Sequence, residues 1–233
     1  MLIWLCLCSK IRAEAQWLSL LKTGVDFLAK TIPMIITNTE ILVKDKESGE
    51  FNAFNMPSLN PLPNIPFYHQ FAEKIAESQY YFKQFMIGMY GKRLSKYIFA
   101  IIVPDDTSKL ESIFINEFFV NSDTCKAVAQ MPMAQALSKE ERYISVSCSH
   151  RNVIVKYIKN GSAIVTKMYD KNTCSVKKIK EDIKVFHIDL EYNEVPVYVN
   201  NFNHNMDRFE ELGEMISSKQ FIDKIANIDV EKL

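Results

Sequence analysis

The chain has 233 residues, and its 28 Lys plus Arg balance its 28 Asp plus Glu. Hydrophobic residues make up 48% and charged residues 24%, which excludes a disordered chain, and the zero net charge gives no electrostatic reason for nucleic acid as a partner. The six glycines form no G-x-G-x-x-G and no G-x-x-x-x-G-K, which argues against a dinucleotide-binding or P-loop enzyme, because backbone that wraps phosphate uses glycine for positive φ and close approach.

Residues 1–8 are apolar but fall well short of the about 20 that cross a bilayer, and they lack the basic start and small residues of a secretory signal. From 11 to 32 the pattern predicts a helix, with Trp17, Leu21, Val25, Leu28 and Ile32 on one stripe and Lys22 and Lys30 off it. The stripe suits a helix docked on its own domain. Alternatively, Trp17, Leu21, Val25 and Leu28 form a membrane-surface or partner face, so residues 1–30 are a candidate peripheral membrane contact. Residues 1–32 are assigned as an N-terminal amphipathic helix.

Short β-branched runs follow at 34–37 and 40–44, with a Ser48-Gly49 turn before Phe51 and Phe54. Four prolines make 55–66 a loop. A long helix is expected over 67–91, then a strand buried on both faces from Tyr97 to Val103. Asp105 and Asp106 end that strand. Thr107 or Ser108 caps the next helix, with Glu111 in its first turn and Leu110, Ile113, Phe114, Phe118 and Phe119 burying it. A strand-turn-strand covers 143–158, and Asn160-Gly161 opens a second hairpin. Strands are expected at 184–190 and 195–199, and helices at 206–216 and 220–228.

The five cysteines, at 6, 8, 125, 148 and 174, form neither a disulfide framework nor a zinc pattern. They read as reduced thiols of a cytoplasmic protein. His69, His187 and His204 are isolated, so no metal site is expected.

Four segments carry a resemblance. Pro132-Met133-Ala134-Gln135-Ala136 resembles the Pro-Met-Ala-Ala-Ala segment of MreB, the bacterial actin homologues that determine rod shape. Asn38-Thr39-Glu40-Ile41-Leu42-Val43-Lys44-Asp45-Lys46 resembles the Asn-Thr-x-x-x-Val-Lys-x-Lys run after that family's first phosphate loop. Asn55-Met56-Pro57-Ser58 resembles its Asn-Glu-Pro-Ser, and the strand and helix from Phe99 to Asn121 resemble its strand-Pro-helix unit. The matches come in the family's order.

The resemblance implies the actin-like ATPase fold, an α/β architecture of two ribonuclease-H-like halves with mixed sheets flanked by helices and ATP held between them. Residues 33–140 would form a nearly complete first half and 141–233 a reduced second half. The family's second half would also carry a further subdomain with a glycine-rich adenosine loop, for which the tail is short.

Carried over residue by residue, both phosphate loops are lost. The first, Asp-x-Gly-Thr-x-Asn-Thr, keeps only Asn38 and Thr39, with Pro33, Ile35 and Ile36 at its Asp, Gly and Thr. The second, Asp-x-Gly-Gly-Gly-Thr-Thr-Asp, has Ser145 at its first Asp and Ser147, Cys148 and Ser149 at its glycines. His150 and Arg151 stand at its threonines and Asn152 at its last Asp. The family's Glu before Pro-Met-Ala is Met131. The carboxylates would organise Mg²⁺ and the glycines would bring backbone donors to phosphate, so losing both argues against hydrolysis.

The expectation is a non-catalytic actin-like protein, without cofactor or metal, that acts through a protein partner or self-association. Its degenerate pocket comprises Thr37, Asn38, Thr39, Ser145, Ser147, Ser149, His150, Arg151 and Asn152. One alternative is a divergent ATP- and Mg-binding member in a cell-shape or cytoskeletal role. Another is a ribonuclease-H-like metal nuclease using Asp105, Asp106, Glu111 and Asp123, although a helix cap and a loop account for those four more simply. Cys148 with His150 as a thiol and base, and His150 with Arg151 as a phosphate-binding cation pair, are further readings of the same turn.

Overall fold

The structure is a computed structural model that describes residues 30–56, 59–60, 62, 64–192 and 194–225. The candidate face of Trp17, Leu21, Val25 and Leu28 lies outside the described residues. Ile32 does not extend that helical stripe. It belongs to strand β1 (Thr31–Ile36), where it is 1% exposed. The β-branched residues Thr31, Ile32, Ile35 and Ile36 suit a strand that pairs on both sides.

The first sheet has the order β3-β2-β1-β4-β5. β2 is Ile41–Lys44, β3 Phe51–Phe54, β4 Ile98–Val103 and β5 Ala127–Pro132. β1, β2 and β3 form an antiparallel meander, while β4 runs parallel to β1 and β5 parallel to β4. The second sheet is built from β6 (Arg142–Cys148), β7 (Asn152–Lys159), β8 (Ser162–Asp170), β9 (Val197–Asn201) and β10 (Glu214–Ser217). Its order is β8-β7-β6-β9-β10, with the first three antiparallel and β9 and β10 parallel. The two sheets therefore have one topology, generated twice along the chain.

Helices α1 (Ile75–Tyr90) and α2 (Lys109–Asn121) belong to the first half, and a 3-10 turn at Phe67–Ala72 precedes α1. A capping box starts α2: Ser108 Oγ accepts the Glu111 N–H, and the Glu111 carboxylate accepts the Ser108 N–H. Leu110 and Ile113 do not bury this helix. They are 77% and 50% exposed, and Ile115, Phe118 and Phe119 face the sheet instead. A 13-residue helix has room for only one inward stripe, and the larger aromatics take it.

The second half keeps all five strands and economises on helices. Its α4 (Val176–Lys184) has nine residues and its α5 (Asp189–Tyr192) four, against sixteen and thirteen for α1 and α2. Only residues 171–175 separate β8 from α4. The strand expected over 184–190 is the end of α4 followed by α5. Ser175 caps α4, and Ile179 supplies its buried contact. The helix expected over 206–216 is a 3-10 turn (Asp207–Leu212) and then β10. Gly213 makes that exchange, because a Cβ there would lie 2.1 Å from the Val197 carbonyl oxygen. α6 (Ser218–Ile225) closes the described chain.

Three apolar clusters organise the packing. One lies between the first sheet and α1 and α2, around Phe71, Phe82, Phe99, Phe118 and Phe119. Another lies under α4 and the 3-10 turn of the second half, around Val153, Val155, Ile179 and Phe209. The third joins the halves: Ile35 and Ile102 of the first sheet meet Tyr143, Ile158 and Tyr198 of the second. α3 (Met133–Ala136) contributes Met133 and Ala134 there, and α6 contributes Phe221 and Ile225. Burying this cluster fixes the halves against each other.

Candidate functional site

The duplicated topology puts one turn of each half in the same place. Thr37 is the first residue after β1, and Ser149 is the first after β6. Their hydroxyls do the same work. Thr37 Oγ1 accepts the N–H groups of Thr39 (3.1 Å) and Glu40 (3.0 Å) and donates to the Glu40 carbonyl. Ser149 Oγ accepts the N–H groups of Arg151 and Asn152, both at 3.0 Å. The Asn38 N–H donates to Asn203 Oδ1 at 3.4 Å. A side-chain oxygen closing its own turn satisfies the amides that an anion would otherwise meet.

Across the boundary between the halves lies a charged network. Asp105 and Asp106 follow the interior strand β4 and are 7% and 8% exposed. Ser147 Oγ donates to Asp105 Oδ2 at 2.6 Å, and the Ala134 N–H donates to Asp105 Oδ1 at 2.9 Å. Lys156 Nζ, on β7, lies 3.4 Å from Asp105 Oδ1, and both side chains are buried. Ser149 Oγ donates to Asp106 Oδ2 at 2.6 Å, where Asn152 Nδ2 also donates at 3.2 Å.

Arg151 is the hub of this network. Its Nε donates to Asp106 Oδ2 at 3.1 Å, and one terminal nitrogen donates to Glu111 Oε1 at 3.0 Å. The other donates to the Asp106 carbonyl (3.0 Å) and Glu111 Oε2 (3.3 Å). The planar guanidinium suits this forked arrangement, and a lysine could not reproduce it. Burial works against ionisation of Glu111. Hydrogen bonds from the Ser108 N–H, Arg151, the Ser108 hydroxyl and His69 outweigh it and hold its pKa at about 2. Burial likewise opposes the charge on Arg151, and Glu111 and Asp106 more than reverse that, raising its pKa.

Little space remains. Thr37, Asn38, Ser149 and His150 share a cavity of 10 Å³ with Pro66, Tyr68, Pro104 and Asp106. That is room for about one water. Tyr68 Oη is buried, and burial, aided by the Glu111 charge, pushes its pKa up. Asn38, Thr39 and His150 also border a cavity of 170 Å³ walled by Phe54, Met56, Leu59, Ile65 and Phe67, with Asn55 at its edge. Drug-sized ligand sites run from about 300 Å³ upward.

The pocket residues named from the sequence divide. Thr37, Asn38, Ser149 and His150 come together, and Thr39 borders the larger cavity. Ser147, Arg151 and Asn152 join the charged network. Ser145 stays in mid-strand opposite Lys156, buried, with its hydroxyl unpartnered. Asp105, Asp106 and Glu111 belong to the site through hydrogen bonds and ion pairs. Asp123 sits past the other end of α2, about 18 Å of helix away, and pairs with Lys83 at 3.3 Å. Among the described residues no group of three His, Cys, Asp or Glu side chains could hold a metal ion.

Cys148 and His150 do not form a thiol-base pair. Cys148 Sγ donates to the Ser149 carbonyl at 3.4 Å and burial pushes the thiol up, while His150 Nε2 contacts the Leu62 carbonyl at 2.9 Å. His150 and Arg151 point at different partners, so they make no joint phosphate site.

No family model and no curated protein matches the chain. Solved structures do. The chain is similar to the ethanolamine utilization protein EutJ from Carboxydothermus hydrogenoformans, at 13% identity over 84% of this chain and 87% of that one, with a TM-score of 0.49. AlfA from a Bacillus subtilis plasmid, solved as a filament, matches at 12% identity over 80% and 91%, with a TM-score of 0.45. MreB 5 of Spiroplasma citri bound to AMPPNP matches at 11% identity over 71% of this chain and 58% of that one, with a TM-score of 0.42.

Within the molecule, two sheets of identical strand order meet at a shared interface, and the turns after their first strands line one cavity. The fold is actin-like. Arg151 reaches from the second half across to the first. No helix among the described residues is long and apolar enough to cross a membrane.

Proposed function

We propose that this chain is a non-catalytic actin-like protein that acts through protein contacts, and that its own Arg151 network ties the halves together where nucleotide and Mg²⁺ would in an ATPase. One observation carries the reading: Thr37 and Ser149 occupy amides of both turns from within, while Arg151, Ser147 and Lys156 occupy the nearby carboxylates. The residues present do not fit Mg-ATP. The turns lack glycine, the shared cavity holds about one water, and five residues join β8 to α4 with no adenosine subdomain between them.

Thermal unfolding with and without Mg-ATP tests this. A ligand at a hundred times its dissociation constant stabilises by about 2.7 kcal/mol. The expected result is no shift. A reproducible, magnesium-dependent rise of several degrees would instead support the second reading, a divergent ATP-binding protein, which Asp105 and Asp106 at the inter-half boundary favour. The proposed membrane contact through residues 1–30 has its own test. Deleting them abolishes co-sedimentation with anionic liposomes, and binding that is unchanged or never present rejects that contact.

A further inference from the structure

β8 (Ser162–Asp170) has nine residues, more than any other strand among the described residues, and it lies at a sheet edge. Among the described residues it pairs only with β7. The other three edges are less accommodating: β3 and β10 have four residues each, and β5 ends at Pro132. A long edge presents a row of unpaired backbone donors and acceptors, which proteins commonly blunt with proline or with outward lysines. β8 has no proline. Its one lysine, Lys167, is held by Asp182 of α4 at 2.7 Å.

The side chains of β8 leave apolar surface uncovered. Val165 and Tyr169 pack into the second half's core. Ile164 and Met168 are 48% and 52% exposed. The register with β7 shifts beside Ile164, since Tyr157 pairs with Val165 and Ile158 with Ala163, so Ile164 has no direct partner on β7. Such an irregularity twists the strand locally but leaves Val165–Asp170 regular.

We propose that β8 is a self-association edge, pairing antiparallel with β8 of a second copy about a two-fold axis at Thr166. The inference rests on the reading of this chain as a protein that works by contacts, and it names one partner. The register follows from the residues. With Thr166 opposite its own copy, Ile164 meets Met168 twice, Lys167 meets Val165, and Asp170 meets Ser162. Both exposed apolar residues are covered and no like charges face each other. Centring the axis on Lys167 opposes two lysines, and centring it on Met168 leaves Ile164 without an apolar partner. An isologous contact of this kind closes into a dimer.

Sedimentation equilibrium of the full chain reads the association, and the expected result is a concentration-dependent dimer. Ile164→Lys with Met168→Lys opposes like charges and yields monomer, whereas Ile164→Lys with Met168→Glu opposes unlike charges and restores the dimer. Both sites are half exposed, so circular dichroism of both variants matches the parent. Thr166→Cys places two thiols across the axis at about the 4.5–5.5 Å Cα spacing of an antiparallel pair, within disulfide reach. It gives a covalent dimer on mild oxidation, mapped by mass spectrometry, and Ser162→Cys does not. A monomer at every concentration, a dimer that survives the double-lysine change, or equal cross-linking of both cysteine variants overturns the proposal. These outcomes do not depend on Mg-ATP, so a nucleotide-induced thermal shift would reject the non-catalytic reading and leave the edge contact standing.

Discussion

Thr37 and Ser149 occupy equivalent positions in the two halves, and each hydroxyl accepts two backbone N–H groups of its own turn. They differ in what they donate to. Thr37 donates within its turn, to the Glu40 carbonyl, whereas Ser149 crosses to Asp106. Replacing each with alanine separates the two roles. Ser149→Ala strips the turn amides and removes one donor from a buried carboxylate, a loss of about 2–3 kcal/mol. Thr37→Ala loses only local bonds, about 1 kcal/mol. Urea unfolding of the two variants checks the ordering, and equal losses would mean that the Ser149–Asp106 bond contributes nothing.

Arg151 makes four bonds to the first half from its position in the second. Arg151→Met keeps most of the side-chain volume but leaves Asp106 and Glu111 without their cation. The expected cost is about 2–4 kcal/mol, because unpaired buried carboxylates are strongly disfavoured. Arg151→Lys recovers little of it, since one ammonium cannot span Asp106 and Glu111 together. Denaturation midpoints for the three proteins decide this, and full recovery by lysine would show that charge alone matters.

Glu111 gives the network a pH signature. Its pKa in the folded chain is about 2, below the ordinary 4.5. Between those values the unfolded chain binds the proton and the folded chain does not, so stability falls as the pH falls. The contribution is complete above about 4.5 and lost as pH drops through about 2. In Glu111→Gln this part of the acid limb disappears. Stability measured in urea across that window checks it, and an unchanged slope in the variant rejects the assignment.

Gly213 is required for space, not for a special dihedral. Its φ of 172° is ordinary extended backbone, but a Cβ would sit 2.1 Å from the Val197 oxygen. Gly213→Ala therefore forces β9 and β10 apart and costs about 3 kcal/mol or more. Hydrogen exchange localises the damage: protection is expected to fall in β10 and α6 first, with the first sheet unaffected.

The parts of the fold that were legible in the chain are those whose signals are local. The apolar run at Ile98–Val103 is a strand buried on both faces, Ser108 and Glu111 form the capping box, and Asn160-Gly161 is a tight hairpin with positive φ at both residues. β10 was not legible, because Glu214–Ser217 has four residues and follows a helix-like stretch, and only the Val197 contact at Gly213 shows why the chain extends there. Leu110 and Ile113 misled for a related reason: periodicity marks apolar positions but does not say which stripe the sheet will cover.

The site divides along the same line. By itself the sequence determined that residues 33–39 and 145–152 contain no glycine and no carboxylate, since that is a matter of which residues stand at which positions. It also placed Ser147, Ser149, Arg151 and Asn152 near any pocket there. It offered Asp105 and Asp106 only as a helix entry or as metal ligands, because their partners lie some forty residues further along the chain. The tertiary structure decided that these carboxylates bind Ser147, Ser149, Lys156 and Arg151. Packing the two halves together removes both sets of groups from water, and a buried charge without water is stable only beside its opposite.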